Sequence, residues 1–103
     1  MDEELRPYLS DLTSALRPTV RERAATALAG GRYGWTPQVK AELAKAAESD
    51  PAPTVRAHCI RLLSDLGYHD PGYVNMLDTA AASGPPAVQQ AARAALAKLT
   101  PRR

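Results

Sequence analysis

One eleven-residue frame recurs three times along the chain, and it sets the fold. "PTVRERAATAL" starts at Pro18, "PTVRAHCIRLL" at Pro53 and "PAVQQAARAAL" at Pro86, so the unit returns after 35 and then 33 residues. Val20, Val55 and Val88 occupy one register, Ala24, Cys59 and Ala92 a second, and Leu28, Leu63 and Leu96 a third. Within the middle copy, Val55, Cys59, Leu62, Leu63 and Leu66 fall on one stripe of a helix of 3.6 residues per turn. The small residue in the second register lets a neighbouring helix approach closely. A proline at the first helical position loses no hydrogen bond, and Gly67 suits the end of the run.

Each frame is preceded by another helical stretch. Leu5, Leu9, Leu12 and Leu16 form the first stripe, Val39, Leu43, Ala46 and Ala47 the second, and Val74, Leu77, Ala80 and Ala81 the third. Thr36–Pro37 and Asp70–Pro71 read as an N-cap followed by the first helical residue. The spacing predicts six helices over roughly 3–16, 18–30, 36–49, 53–66, 71–83 and 86–99, paired as repeats at about 3–31, 36–67 and 71–99. A pair this short cannot bury its apolar stripe alone, whereas stacked pairs can. The expected fold is therefore all-α, a right-handed α-solenoid of three antiparallel hairpins. A closed six-helix bundle is the alternative, and it does not account for the repeat.

Asp50, Pro53, Val55, Arg56, Cys59, Leu63 and Gly67 give the middle copy a second level of meaning: it resembles a HEAT repeat. The likeness extends over nearly the whole chain. The first copy keeps Val20, Arg21, Ala24 and Leu28, with Ala15 in place of the aspartate; the third keeps Val88, Ala92 and Leu96, with Ser83 and Gln89 in place of aspartate and arginine. The resemblance implies an Asp–Arg link between adjacent copies, here between Asp50 and Arg21 or Arg56. It also implies a protein-binding scaffold whose second helices line the concave face.

The residues add little catalytic chemistry. A net charge of +2 is too small to imply nucleic acid by itself. No stretch is apolar enough for a membrane span, and a single cysteine allows no intrachain disulfide. A cytoplasmic, non-enzymatic protein without cofactor is expected. His58 and Cys59 are adjacent, so on a helix they point about 100° apart and are badly placed to share a metal. Cys59 sits in the small-residue register and reads as core. The glycine-rich Gly30–Gly34 follows a helix and lacks the lysine of a phosphate loop.

Two features point to a partner. Charge is partitioned: the first helices carry Asp2, Glu3, Glu4, Asp11, Glu42, Glu48 and Asp78, while the second carry Arg17, Arg21, Arg23, Arg56, Arg61, Arg93 and Lys98. A basic inner face would take another protein or an acidic peptide. The competing ligand is a nucleic acid held by Arg23, Arg56, Arg61 and Arg93, and a lyase-type enzyme subunit is a further alternative. Positions off the core stripe give the expected contact set: Glu22, Arg23, Thr26, Ala57, Ile60, Arg61, Gln90 and Arg93. The second feature is aromatic. Tyr33, Trp35, Tyr68 and Tyr73 fall in or beside the loops between hairpins, either as a recognition edge or, the favoured reading, as plugs between copies in a core without phenylalanine. The alanine-rich last helix would also suit self-association.

Overall fold

The computed structural model describes residues 6–31 and 36–99. Over these the chain is helical, with six helices: α1 (Arg6–Ser14), α2 (Pro18–Gly30), α3 (Pro37–Ser49), α4 (Pro53–Asp65), α5 (Pro71–Ser83) and α6 (Pro86–Leu99). The local signals act where they stand. Thr36 accepts a hydrogen bond from the Val39 amide, and Asp70 accepts one from the Gly72 amide, so both cap the donors left free at a helix start. Gly67, at φ +74°, turns the chain out of α4. The Tyr68 amide then reaches Leu63 O (3.0 Å) and the Gly67 amide reaches Ser64 O (3.1 Å). These paired bonds form a Schellman closure, which a side chain at Gly67 would strain.

Helix α1 ends earlier than the leucine stripe implies. Arg17, preceding Pro18, is extended (φ −91°, ψ 130°), as the proline ring requires of its predecessor. Leu16 thus leaves the helix and stands 95% exposed, while Leu12 carries the buried contact. The other helix bounds fall within a residue of those read from the sequence.

The helices pair as hairpins α1–α2, α3–α4 and α5–α6, stacked side by side in a slab of 43 × 26 × 18 Å. The two layers are unequal. Helices α2, α4 and α6 pack along one another in order, whereas α1 barely meets α3, and α3 scarcely touches α5. The cause lies in residue size. Ala24, Ala25, Ala57, Cys59, Ala91, Ala92 and Ala95 are all buried on the second helices, so these backbones close up. Leu12, Leu28, Leu43, Leu63 and Leu77 fill the layer between the rows. Val55 and Val88 are buried as their shared register predicts, while Val20 is half-buried because no hairpin precedes the first among the described residues.

Candidate binding surfaces

The outward stripe of α4 is Thr54, His58, Arg61 and Asp65, spaced i, i+4, i+7 and i+11. On α2 the same register holds Thr19, Arg23, Thr26 and Gly30. Arg23, Thr26 and Arg61 are exposed, as expected, and Glu22 is half-buried beside them. Thr26 Oγ1 and His58 Nε2 lie 2.6 Å apart and tie α2 to α4. Burial lowers the His58 pKa; the Glu22 carboxylate opposes the shift and Arg61 reinforces it. The imidazole is therefore neutral near pH 7. His58 was absent from the expected contact set, although its spacing from Thr54 and Arg61 places it on their stripe. Further along, Lys98 Nζ bonds Asp65 Oδ1 at 3.3 Å and joins α6 to α4. Arg23 and Arg61 have no ion-pair partner among the described residues.

Five expected contact residues do not lie on this stripe: Glu22, Ala57, Ile60, Gln90 and Arg93. Ala57 and Ile60 are fully buried. They point sideways along the row, into the next hairpin, and not outward. Copy-to-copy registration explains this: Ala25, Ile60 and Arg93 are equivalent, as are Glu22, Ala57 and Gln90. Within the stack that side of the helix is covered. On α6 no hairpin follows among the described residues, so Gln90 and Arg93 are exposed on the flank. Arg93 Nε is also occupied, donating to Ala81 O (3.2 Å) near the end of α5.

The aromatic residues divide similarly. Tyr33 and Trp35 lie outside the described residues. Tyr73 is 5% exposed, so it offers no recognition edge. It meets Tyr68 edge-on, with ring centroids 4.9 Å apart and planes at 61°. At this pair the aromatics fill the gap between the second and third hairpins.

The Asp–Arg link forms at one joint. Arg21 donates from Nε to Asp50 Oδ2 (2.8 Å) and from Nη2 to Asp50 Oδ1 (3.0 Å). Its Nη1 donates to Ala15 O (2.7 Å) and Leu16 O (3.3 Å), satisfying carbonyls freed by the early end of α1. Asp50 Oδ1 also accepts the Ala52 amide at 2.9 Å. Both side chains are buried.

Arg56, the equivalent of Arg21, has no such partner. Asp50 caps α3, but the residue capping α5 is Gly84. A Cβ there would stand 2.9 Å from Ala80 O, so the shorter α5–α6 turn leaves no room for a carboxylate. Arg56 Nε is buried without a hydrogen-bond partner, and so is Tyr73 Oη. Each such group costs about 1–3 kcal/mol when removed from water unpaired. Arg56 also faces the first-helix side, lining a hollow with Glu48, Asn75 and Thr79, and so leaves the basic set expected on the second-helix row.

Cys59 occupies the core, and burial, followed by the charges of Asp50 and Glu22, pushes its thiol up to about 12. A neutral, enclosed thiol is no nucleophile. Cys59 in the folded chain is expected to resist an aromatic disulfide reagent at pH 8 and to react at once on unfolding in guanidinium. Rapid reaction without denaturant would place it at the surface. Because the folded pKa lies above the unfolded one, the thiol's contribution to stability is complete below the ordinary thiol pKa. It is lost as pH rises toward 12. No group of three or more His, Cys, Asp or Glu is arranged to hold a metal among the described residues. No helix among them is long and apolar enough to cross a membrane.

Comparison with known proteins agrees with the geometry. A family model for HEAT repeats matches residues 4–97. No curated protein and no solved structure matches the chain. HEAT repeats generally serve as protein-interaction scaffolds and are typically non-catalytic. With three stacked hairpins, their small-residue register and a match covering most of its length, the chain belongs to the HEAT-repeat family.

Proposed function

We propose that the chain is a non-catalytic protein-interaction module that binds an acidic partner segment along the row of second helices. One observation carries this reading: Arg23 and Arg61 stand exposed and without an ion-pair partner on a floor held by the Thr26–His58 contact and the buried small residues beneath it. A floor that is already ordered loses little freedom on binding, so charge pairing at its surface is retained as affinity. Glu22 beside the stripe and Asp65, held by Lys98, confine the unpaired positive charge to Arg23 and Arg61, which favours a short acidic segment over a long phosphate backbone. The lone, enclosed cysteine suits a reducing compartment such as the cytoplasm.

The test uses a labelled glutamate-rich dodecapeptide and a single-stranded oligonucleotide of similar length. Fluorescence anisotropy is expected to show tighter peptide binding, lowered at least tenfold in the Arg23→Glu/Arg61→Glu variant. That variant should melt like the parent, since both side chains are exposed. Stronger oligonucleotide binding that collapses steeply between 50 and 200 mM salt would replace this reading with phosphate recognition.

A further inference from the structure

On the opposite side of the slab, the splayed first helices leave a cleft between α3 and α5. It consists of two hollows of about 590 and 440 Å³ that share Glu48, Gly72 and Met76. At the preceding joint, where Arg21 and Asp50 pair, the corresponding hollow between α1 and α3 is only about 170 Å³. At the third repeat Gly84 holds the cap position of Asp50, and Arg56 Nε has no hydrogen-bond partner.

The only two buried side-chain polar atoms without partners among the described residues are Arg56 Nε and Tyr73 Oη. Both residues line this cleft, one in each hollow. The Tyr73 hydroxyl is enclosed on the Cys59 side, which leaves Arg56 as the orphaned side chain at the cleft. The walls mix aliphatic and polar groups: Ala44, Ala47, Met76 and Ala80 stand beside Asn75 and Thr79, and the charges of Glu48 and Asp70 face those of Lys45 and Arg56. An unpaired guanidinium beside these methyl groups fits a chain segment with one acidic side chain and aliphatic neighbours. The pairing the cleft lacks is already made inside the molecule, where Arg21 grips Asp50 through Nε and Nη2.

We propose that the α3–α5 cleft is a second docking site, taking a partner-protein segment in which one Asp or Glu, flanked by aliphatic residues, seats its carboxylate on Arg56. The partner supplies the aspartate that the third repeat lacks and completes the joint between the second and third hairpins. This site is independent of the second-helix row, which lies on the other face.

The probe is acetyl-Ala-Leu-Asp-Leu-Ala-amide, with the Asn-containing peptide as control. In a ¹H–¹⁵N titration of the intact chain, the Arg56 Nε–Hε resonance is expected to shift saturably with the Asp peptide and not with the Asn peptide. Arg56→Gln should weaken binding about tenfold, the loss of one charge-assisted contact. Tyr73→Phe should leave the affinity unchanged without lowering the melting temperature, because the hydroxyl it removes is enclosed and has no partner in the free protein. Arg61→Glu should leave the affinity unchanged, so failure of the second-helix reading does not carry over to this one. Equal binding of the Asn peptide overturns the proposal, as does the absence of a saturable Arg56 shift up to millimolar peptide. The wild-type titration decides the matter even if the Arg56 variant folds poorly.

Discussion

Ile60→Asp is expected to abolish the cooperative thermal transition. Ile60 is fully enclosed, in the register that α2 fills with Ala25 and α6 leaves open as Arg93. Truncating a buried isoleucine costs about 2–5 kcal/mol. Enclosing an unpaired carboxylate adds several more, even after its pKa adjusts. The sum approaches the total stability of an ordinary domain, about 5–15 kcal/mol. Circular dichroism should show a shallow melt, and the amide spectrum should lose dispersion. Ile60→Val, which keeps the shape, should cost no more than about 1.5 kcal/mol and melt cooperatively. A sharp transition in Ile60→Asp within a few degrees of the parent would mean that this side of α4 meets solvent, and the stacking order of the second helices would be wrong. Loss of partner binding in this variant reports unfolding and cannot map a contact.

Asp50→Ala is expected to produce the next largest loss, about 3–5 kcal/mol, because it leaves a buried guanidinium facing an empty position. A domain of this size loses about 4–8 °C of melting temperature per kcal/mol, so the midpoint should drop by at least about 12 °C. Geometry makes the effect larger than a single ion pair would. Asp50 holds both Nε and Nη2 of Arg21 and caps the Ala52 amide, while Arg21 also gathers Ala15 O and Leu16 O. One pair thus fixes the α1–α2 turn, helix α2 and the α3–α4 turn together. Lys98→Ala provides the contrast within the same molecule. Its bond to Asp65 is 3.3 Å long, but the two side chains are 59% and 74% exposed, so its removal should barely move the melt. Equal shifts in the two variants would show that the Asp50–Arg21 pair contributes nothing beyond an exposed one.

The hairpins and most of their ends were legible because they depend on local chemistry. Thr36 and Asp70 cap where they stand, prolines open the helices, and Gly67 takes the one backbone conformation that strains other residues. The Asp50–Arg21 link was readable as one of two pairings. The course of Leu16 was less so, because the proline two residues later overrides the leucine period. The lateral residues were misread for a different reason. Periodicity within one helix separates core from non-core, but it does not separate solvent from a neighbouring hairpin. Comparing Ala25, Ile60 and Arg93 across copies would have made the distinction, since the side chain becomes charged only on the open flank. Tyr73 lies four residues before Leu77 and Val74 three, so both fit the α5 stripe; packing on Tyr68 selects Tyr73. The second-helix row of Arg23, Thr26 and Arg61 followed from the pattern, but the α3–α5 cleft did not. It arises from a turn one residue shorter than its counterpart, a difference with no hydrophobic signature.

The unequal seams between the two layers have a mechanical consequence. The alanine-lined backbones of α2, α4 and α6 form a spine that resists stretching, while α3 and α5 scarcely approach one another. Bending such a ribbon displaces α1, α3 and α5 and leaves the spine nearly unchanged in length. The soft direction is therefore a fanning of α5 away from α3.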